Sequence, residues 1–337
     1  MRDVADSIAA WDAAGIASAE AILVRTQHSS PRQPGARLAV NAEGEAVGAV
    51  SMGCVESDLR ERLKEMLADP SVPEQLVHYG RATGGLLEVG LTCGGEIDVW
   101  LRRHDAASAA WKAVRALGSG ERGALCTPLR DGERQVFAGE VEFATLGLPG
   151  GLFPGIGRNP AVTGLMAQAD GPRVFVEVME PAPRVVVVGA GPIAEALCRL
   201  AGELGWRVAL ADPRRQYARA ERYPGAEVVH AWPEEAFAEL GIGPRDAVAV
   251  LAHDEKLDIP ALAAALRAGC GYVGLLGSRR MQGVRARTLA EAEGIPAEDA
   301  ARIHGPIGLD IGAVEPPEIA LSVMAEITLW RRGPKRG

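Results

Sequence analysis

The sequence predicts an α/β protein in two parts. An α+β N-terminal domain covers residues 1–181, and a parallel sheet with helices on both faces covers residues 182–337. Three observations carry this. After Arg184, continuous apolar runs (RVVVV, RVALAD, AEVVH, DAVAVLA, GYVGLL) alternate with helical stretches, the texture of strands buried on both faces. Before it, short strand-like runs mix with helices and Gly/Pro-rich loops. Between the two, the segment PAPR beginning at Pro181 marks the change of texture.

Composition fits this plan. The 337 residues are 47% hydrophobic and 24% charged, enough apolar material for two cores. Aromatic residues make up only 4%, so the packing is expected to be aliphatic. A formal net charge of −8 lacks the basic surface of a nucleic-acid binder, so no nucleic-acid partner is expected. No run of about 18 apolar residues occurs, so no membrane insertion is expected. The start, MRDVADSIAAWDAAG, reads as an amphipathic helix and not as a signal peptide. Cys54, Cys93, Cys126, Cys198 and Cys270 are scattered, without a CxxC, which points to a cytoplasmic chain and not to a disulfide framework.

In the first part, 19–26 and 37–40 read as strands joined by the loop SSPRQPGA, and EAVGAVS (45–51) continues as another. Over 55–69, Val55, Leu59, Leu63, Met66 and Leu67 share one helical face. QLVHYG, GLLEVGLT and GEIDVWLR follow as strands and 106–118 as a helix, with strand and loop over 122–181.

The strand Val185–Val188 runs into Gly189-Ala190-Gly191-Pro192-Ile193-Ala194, the pattern GxGxxA. Gly189 makes the tight turn, Gly191 lets a pyrophosphate approach the backbone, and the small Ala194 lets helix and strand pack closely. The helix start adds partial positive charge. The following strand ends in Asp212, 23 positions after Gly189, where a ribose-contacting carboxylate belongs. This is a Rossmann-like arrangement. Asp212 favours a free ribose 2′-OH, while Arg214 and Arg215 just beyond it suit a 2′-phosphate, and the residues leave that choice open. Cys198, inside the helix, reads as a small core residue.

Ser51-Met52-Gly53-Cys54-Val55-Glu56 lies between a strand and the helix over 55–69. The unpaired N–H groups of a helix start favour a thiolate at Cys54, as a nucleophile, metal ligand or sulfur contact; the alternative is a capping turn around a thiol. Gly53 leaves room beside it. Cys93, in Leu91-Thr92-Cys93-Gly94-Gly95, borders a second glycine-rich bend. No His stands at ligand spacing near either cysteine, so a structural zinc site is not expected.

His253 and Asp254 fall at the carboxyl end of a parallel strand, where ligands of open α/β sheets bind. Gly277-Ser278-Arg279-Arg280 follows the next strand and suits a phosphate or carboxylate. Gly-rich turns with Asp310 lead to Pro316 and Pro317, which suit the start of the last helix.

Taken together, SSPRQPGARLAV, GAVSMGCVESDL, GLTCGGEIDVWL, VVVVGAGPIAEAL, VLAHDEKLD, GLLGSRRMQGVRARTL and IHGPIGLDIGAVEPPEIALSVMAEI resemble the XdhC/CoxI family over nearly the whole chain. Its members are maturation factors of xanthine dehydrogenase and carbon monoxide dehydrogenase. The resemblance implies binding of the molybdenum cofactor, as molybdopterin or its dinucleotide form. It implies sulfuration with a cysteine desulfurase and delivery to an apo molybdenum hydroxylase. It assigns the family's two loop cysteines to Cys54 and Cys93, with Cys54 as a contact to molybdenum. Cofactor contacts are expected at Ser51, Gly53, Cys54, Cys93, Gly189, Gly191, Ala194, Asp212, His253, Asp254, Gly277, Ser278 and Arg279. Met52 stands where the family usually has glycine. An accessory protein, homodimeric by base rate, is expected more than a catalyst.

Two rival readings remain. An NAD(P)-dependent oxidoreductase accounts for Gly189, Gly191 and Asp212, with His253 and Asp254 as acid/base candidates. It lacks a Tyr followed four residues later by Lys and a metal-binding His pair. A non-catalytic nucleotide sensor is the other.

Overall fold

The computed structural model describes residues 2–28, 30–80, 91, 94–108, 111–112, 115, 123–129, 135–138, 163–166, 174–179, 181–278 and 287–333. The chain divides into two compact units, Met1–Pro181 and Ala182–Gly337.

Unit 1 opens with α1 (Arg2–Ala13), then β1 (Ser18–Gln27), β2 (Arg37–Asn41), β3 (Ala46–Gly48), α2 (Glu56–Ala68), β4 (Gln75–Tyr79) and β5 (Glu96–Arg103). The strands form an antiparallel sheet in the order β3-β2-β1-β5-β4. A second sheet, β7-β6-β9-β8, is built from β6 (Gly123–Pro128), β7 (Gln135–Ala138), β8 (Gly164–Met166) and β9 (Val174–Met179).

Alternation along β1 and β2 divides the first sheet's faces. Ala19, Ala21, Leu23, Leu38 and Val40 pack with Leu59, Leu63 and Met66 of α2. On the other face, Ile22, Val24 and Trp100 pack with Phe175 of β9. The same face carries a buried charge network. Arg37, fully buried, pairs with Glu20 and, at 2.5 Å, with Glu177 of β9. Arg102 Nη2 reaches Glu20 at 2.8 Å, and His104 lies between Glu20 and Asp12. A pair of carboxylates and a pair of guanidiniums thus neutralise one another away from water, the condition for burying them at all.

The strand expected over 45–51 is shorter, because it ends at Gly48. That residue has φ +75, and a Cβ there would overlap the Arg37 carbonyl oxygen. The expected strand GLLEVGLT lies outside the described residues apart from Leu91, and most of the 106–118 helix does too.

Unit 2 is the alternating half. Its strands are β10 (Arg184–Val188), β11 (Arg207–Ala211), β12 (Ala226–Val229), β13 (Asp246–Val250), β14 (Tyr272–Leu275) and β15 (Ile303–His304). All are parallel, in the order β12-β11-β10-β13-β14-β15. Numbered within the unit this is 3-2-1-4-5-6, the doubly wound Rossmann order. Its helices include α3 (Pro192–Glu203), α4 (Pro233–Leu240), α5 (Glu255–Arg267), the short α6 (Ala297–Ala300) and α7 (Pro316–Arg332), and residues 287–293 are also helical.

Each central strand is apolar on both faces, which is why it reads as a continuous run. Val186 and Val188 face a core with Ala236 and Phe237 of α4 and Leu262 and Leu266 of α5. Val185 and Val187 face Leu197 and Cys198 of α3 and Val323 and Ile327 of α7. Each fully buried Val or Leu side chain contributes about 1.5–3 kcal/mol. Both cores are mainly aliphatic, as the composition implies. Pro316 and Pro317 start α7, with Glu315 and Glu318 forming a capping box. The two-residue β15 was not expected; it is too short to leave a periodic signal.

Candidate functional site

The cysteine loop of unit 1 is organised by a residue that the motif contains but whose part its spacing does not reveal. Glu56, at the start of α2, turns back onto the loop. Its Oε1 accepts from Val50 N at 3.1 Å and Ser51 N at 2.7 Å. Its Oε2 accepts from Gly53 N at 2.8 Å, Val55 N at 3.3 Å and Ser51 Oγ at 2.6 Å. Cys54 N donates to Ser51 Oγ at 3.1 Å. Burial alone would raise the Glu56 carboxyl, but the Ser51 hydroxyl and the loop amides hold it below the usual carboxylate range. The amides of Val50, Ser51, Gly53, Cys54 and Val55 are thus taken within the loop by Glu56 and the Ser51 hydroxyl, and are not left for a ligand. The loop instead fixes a half-buried Cys54 in place. Met52 is 75% exposed. Gly53 has φ +114 and open space where a side chain would be. Cys93 lies outside the described residues.

In unit 2 the glycine loop sits at the sheet's topological switch point, where β10 lies between β11 and β13. Gly189 has φ +97, and a Cβ there would overlap the Ala252 backbone. It donates to the Ala211 carbonyl at 3.0 Å. Only glycine makes this close crossing. Gly191 differs: it is extended, with nothing within 4 Å of the place a Cβ would take. It precedes α3, and Ala194, 1% exposed, packs beneath the loop.

Asp212 directly follows β11 and has no exposure. Its Oδ2 accepts from Ala190 N at 2.7 Å and Arg214 Nη2 at 2.8 Å. Its Oδ1 accepts from Arg214 N at 2.8 Å and Arg214 Nε at 2.9 Å. Burial alone would raise this carboxyl; the Arg214 side chain and the amides of Ala190 and Arg214 outweigh it and hold it below the usual range.

His253, exposed, follows β13 with φ +56, an uncommon conformation for a bulky residue. Asp254 caps α5, accepting from Lys256 N at 3.1 Å. Gly277 and the exposed Ser278 follow β14. These ends bring Gly189, Gly191, Asp212, His253, Asp254, Gly277 and Ser278 to one edge of the sheet. Arg279 and Arg280 lie outside the described residues, and Asp310 is in an exposed loop. Cys198 and Cys270 are core thiols, each pushed up to about 12 by burial. Among the described residues, no group of three or more His, Cys, Asp or Glu side chains is placed to hold a metal. No helix among them is long and apolar enough to cross a membrane.

Sequence reasoning also missed Glu326. It accepts from Tyr272 Oη at 2.7 Å and Gly308 N at 2.6 Å, with His304 Nδ1 at 3.1 Å. It anchors the turn after β15 to α7. Tyr272 and Glu326 are 54 positions apart, beyond any local signal.

Fold and site together define a protein with a cysteine loop on an antiparallel-sheet unit and a glycine loop on a Rossmann unit. A model of the XdhC Rossmann domain matches residues 185–327, and one of the XdhC and CoxI family matches residues 11–80. The chain belongs to the XdhC/CoxI family. It is 28% identical over 324 residues to a Bacillus subtilis (strain 168) protein named as a probable xanthine dehydrogenase subunit, covering 93% of this chain and 92% of that one. It is 25% identical over 309 residues to the molybdenum cofactor insertion chaperone PaoD of Escherichia coli (strain K12), covering 92% and 82%. A crystal structure from Bacillus halodurans, described as a xanthine dehydrogenase, shares the fold with TM-score 0.73 and 21% identity, covering 98% and 96%.

Proposed function

We propose that this protein is a maturation factor that carries the molybdenum cofactor to an apo molybdenum hydroxylase and supports its sulfuration with a cysteine desulfurase. The observation that carries this reading is the Glu56-laced loop. It presents one half-buried thiol, with open space at Gly53, in a family that includes a cofactor insertion chaperone.

The cofactor is cargo. Its soft metal and sulfur centre suits the Cys54 thiol. Its phosphate, as molybdopterin or in a dinucleotide form, suits the open approach at Gly191 and the start of α3. The remaining contacts proposed are Ser51, Cys93, Gly189, Ala194, His253, Asp254, Gly277, Ser278 and Arg279; Asp212, buried with both oxygens occupied, takes part through Arg214 and not by direct contact. Work as a cytoplasmic homodimer belongs to the same proposal. The oxidoreductase reading is less well supported: capping α5 gives Asp254 a structural role.

The test is reconstitution. An apo hydroxylase is given molybdopterin, molybdate, a cysteine desulfurase and cysteine, with and without this protein. The expected result is activation that depends on the protein and falls in Cys54→Ala. Equal activation without it contradicts the proposal.

A further inference from the structure

The end of β11 is where a Rossmann site tells one nucleotide from another. A carboxylate there accepts from a ribose 2′-OH, whereas an arginine there takes a 2′-phosphate. Asp212 stands at the carboxylate's place, but it has no exposure and each of its oxygens already accepts a pair of N–H groups. A carboxylate offers about four acceptor positions, so a ribose hydroxyl finds none open. Arg214 is what the site presents. Its Nε and Nη2 grip Asp212, its side chain is 33% exposed, and Nη1 lies outside the pair. The guanidinium also lies over the Tyr217 ring, 5.2 Å from its centroid. Tyr217 is 45% exposed, and Trp232, beyond the end of β12, is 48% exposed. Exposed aromatic faces at a nucleotide-binding edge suit a stacked ring.

We propose that Arg214 is the specificity-determining residue of the glycine loop's site, selecting a ligand with a phosphate ester at the β11 end over one with a free ribose diol, and that Asp212 is its positioning residue. This rests on the reading of the glycine loop as a phosphate seat. Asp212 ties the arginine to the loop through Ala190 N, so the guanidinium and the loop's approach at Gly191 act on one ligand. Arginine's planar fork, fixed on one edge by a carboxylate, keeps donors for a phosphate on the other.

The test is calorimetric titration of the full chain with NADP+ and NAD+, which differ by the 2′-phosphate. The expected result is tighter binding of NADP+ by about tenfold or more, the range of a hydrogen bond to a charged group. Arg214→Ala collapses that ratio. Removing Arg214 strands a buried charge, so Asp212→Asn with Arg214→Gln, which leaves the pair neutral, serves as the second variant. It too loses the preference. NAD+ binding as tight as NADP+, or an NADP+ preference kept in both variants, overturns the proposal. Binding of neither dinucleotide by protein that still retains molybdopterin also overturns it, and leaves the cargo reading standing. Failure of molybdopterin retention with the NADP+ preference intact sinks the cargo reading alone.

Discussion

The two glycine-containing loops are built alike and used differently. Each joins a strand to a helix, and each is pinned by a carboxylate, the cysteine loop through several backbone N–H groups and the glycine loop through one. In the cysteine loop, Glu56 collects the amides of Val50, Ser51, Gly53 and Val55 together with the Ser51 hydroxyl. That loop is closed around its own anion, and its half-buried Cys54 packs against the core of unit 1. In the glycine loop, Asp212 takes the amide of Ala190 and turns its remaining capacity to Arg214. That loop keeps open space at Gly191. The difference teaches that a strand–loop–helix with glycines is not by itself an anion site. What matters is whether the chain's own carboxylate has already filled it.

The comparison breaks most sharply at Gly189. Gly189→Val sets a side chain against Ala252 at a position with φ +97, and is expected to cost about 3 kcal/mol or more. Gly191→Val, into open space on extended backbone, is expected to leave stability nearly unchanged while blocking a phosphate. Urea unfolding followed in unit 2 separates them. Equal destabilisation by both refutes the division of roles.

Next in size is Glu56→Ala, which strips the cysteine loop of its acceptor and is expected to destabilise unit 1 by about 2 kcal/mol. The same carboxylate gives a pH signature. Its folded pKa is depressed, so its stabilisation is present above the ordinary carboxylate range and is lost as pH falls through the folded value. Glu56→Gln is expected to flatten part of the fall in melting temperature on acidification below about pH 4.5. An unchanged acid profile contradicts this role of Glu56 in the loop.

The smallest effect is expected at His253. Its φ of +56 stores strain that glycine does not carry. His253→Gly is expected to gain about 0.5–1 kcal/mol, after the extra freedom of the unfolded chain is subtracted. A loss of thermal stability instead shows that the imidazole has a structural contact worth more than the strain.

The sequence made unit 2 legible because its signals are local. Val185–Val188, the turn at Gly189 and the run to Asp212 lie within one strand–helix–strand segment, and the texture of doubly buried strands marks the sheet. Less of the site was legible. Spacing put Asp212 at the end of β11 but could not show that Arg214 and Ala190 saturate it, because that depends on the side chains' directions. Spacing placed Cys54 before a helix but not the return of Glu56 onto the loop. The Arg37–Glu177 pair joins residues 140 positions apart across two sheets, and no pattern along the chain announces it.

The central claim is that the Cys54 loop holds molybdenum cofactor. The most direct measurement is the molybdenum and pterin content of the protein after incubation with fresh cofactor and gel filtration, for the wild type and Cys54→Ala. Near-stoichiometric retention by the wild type, lost in a folded Cys54→Ala protein, is the expected result. No retention by the wild type, or equal retention by the variant, contradicts it.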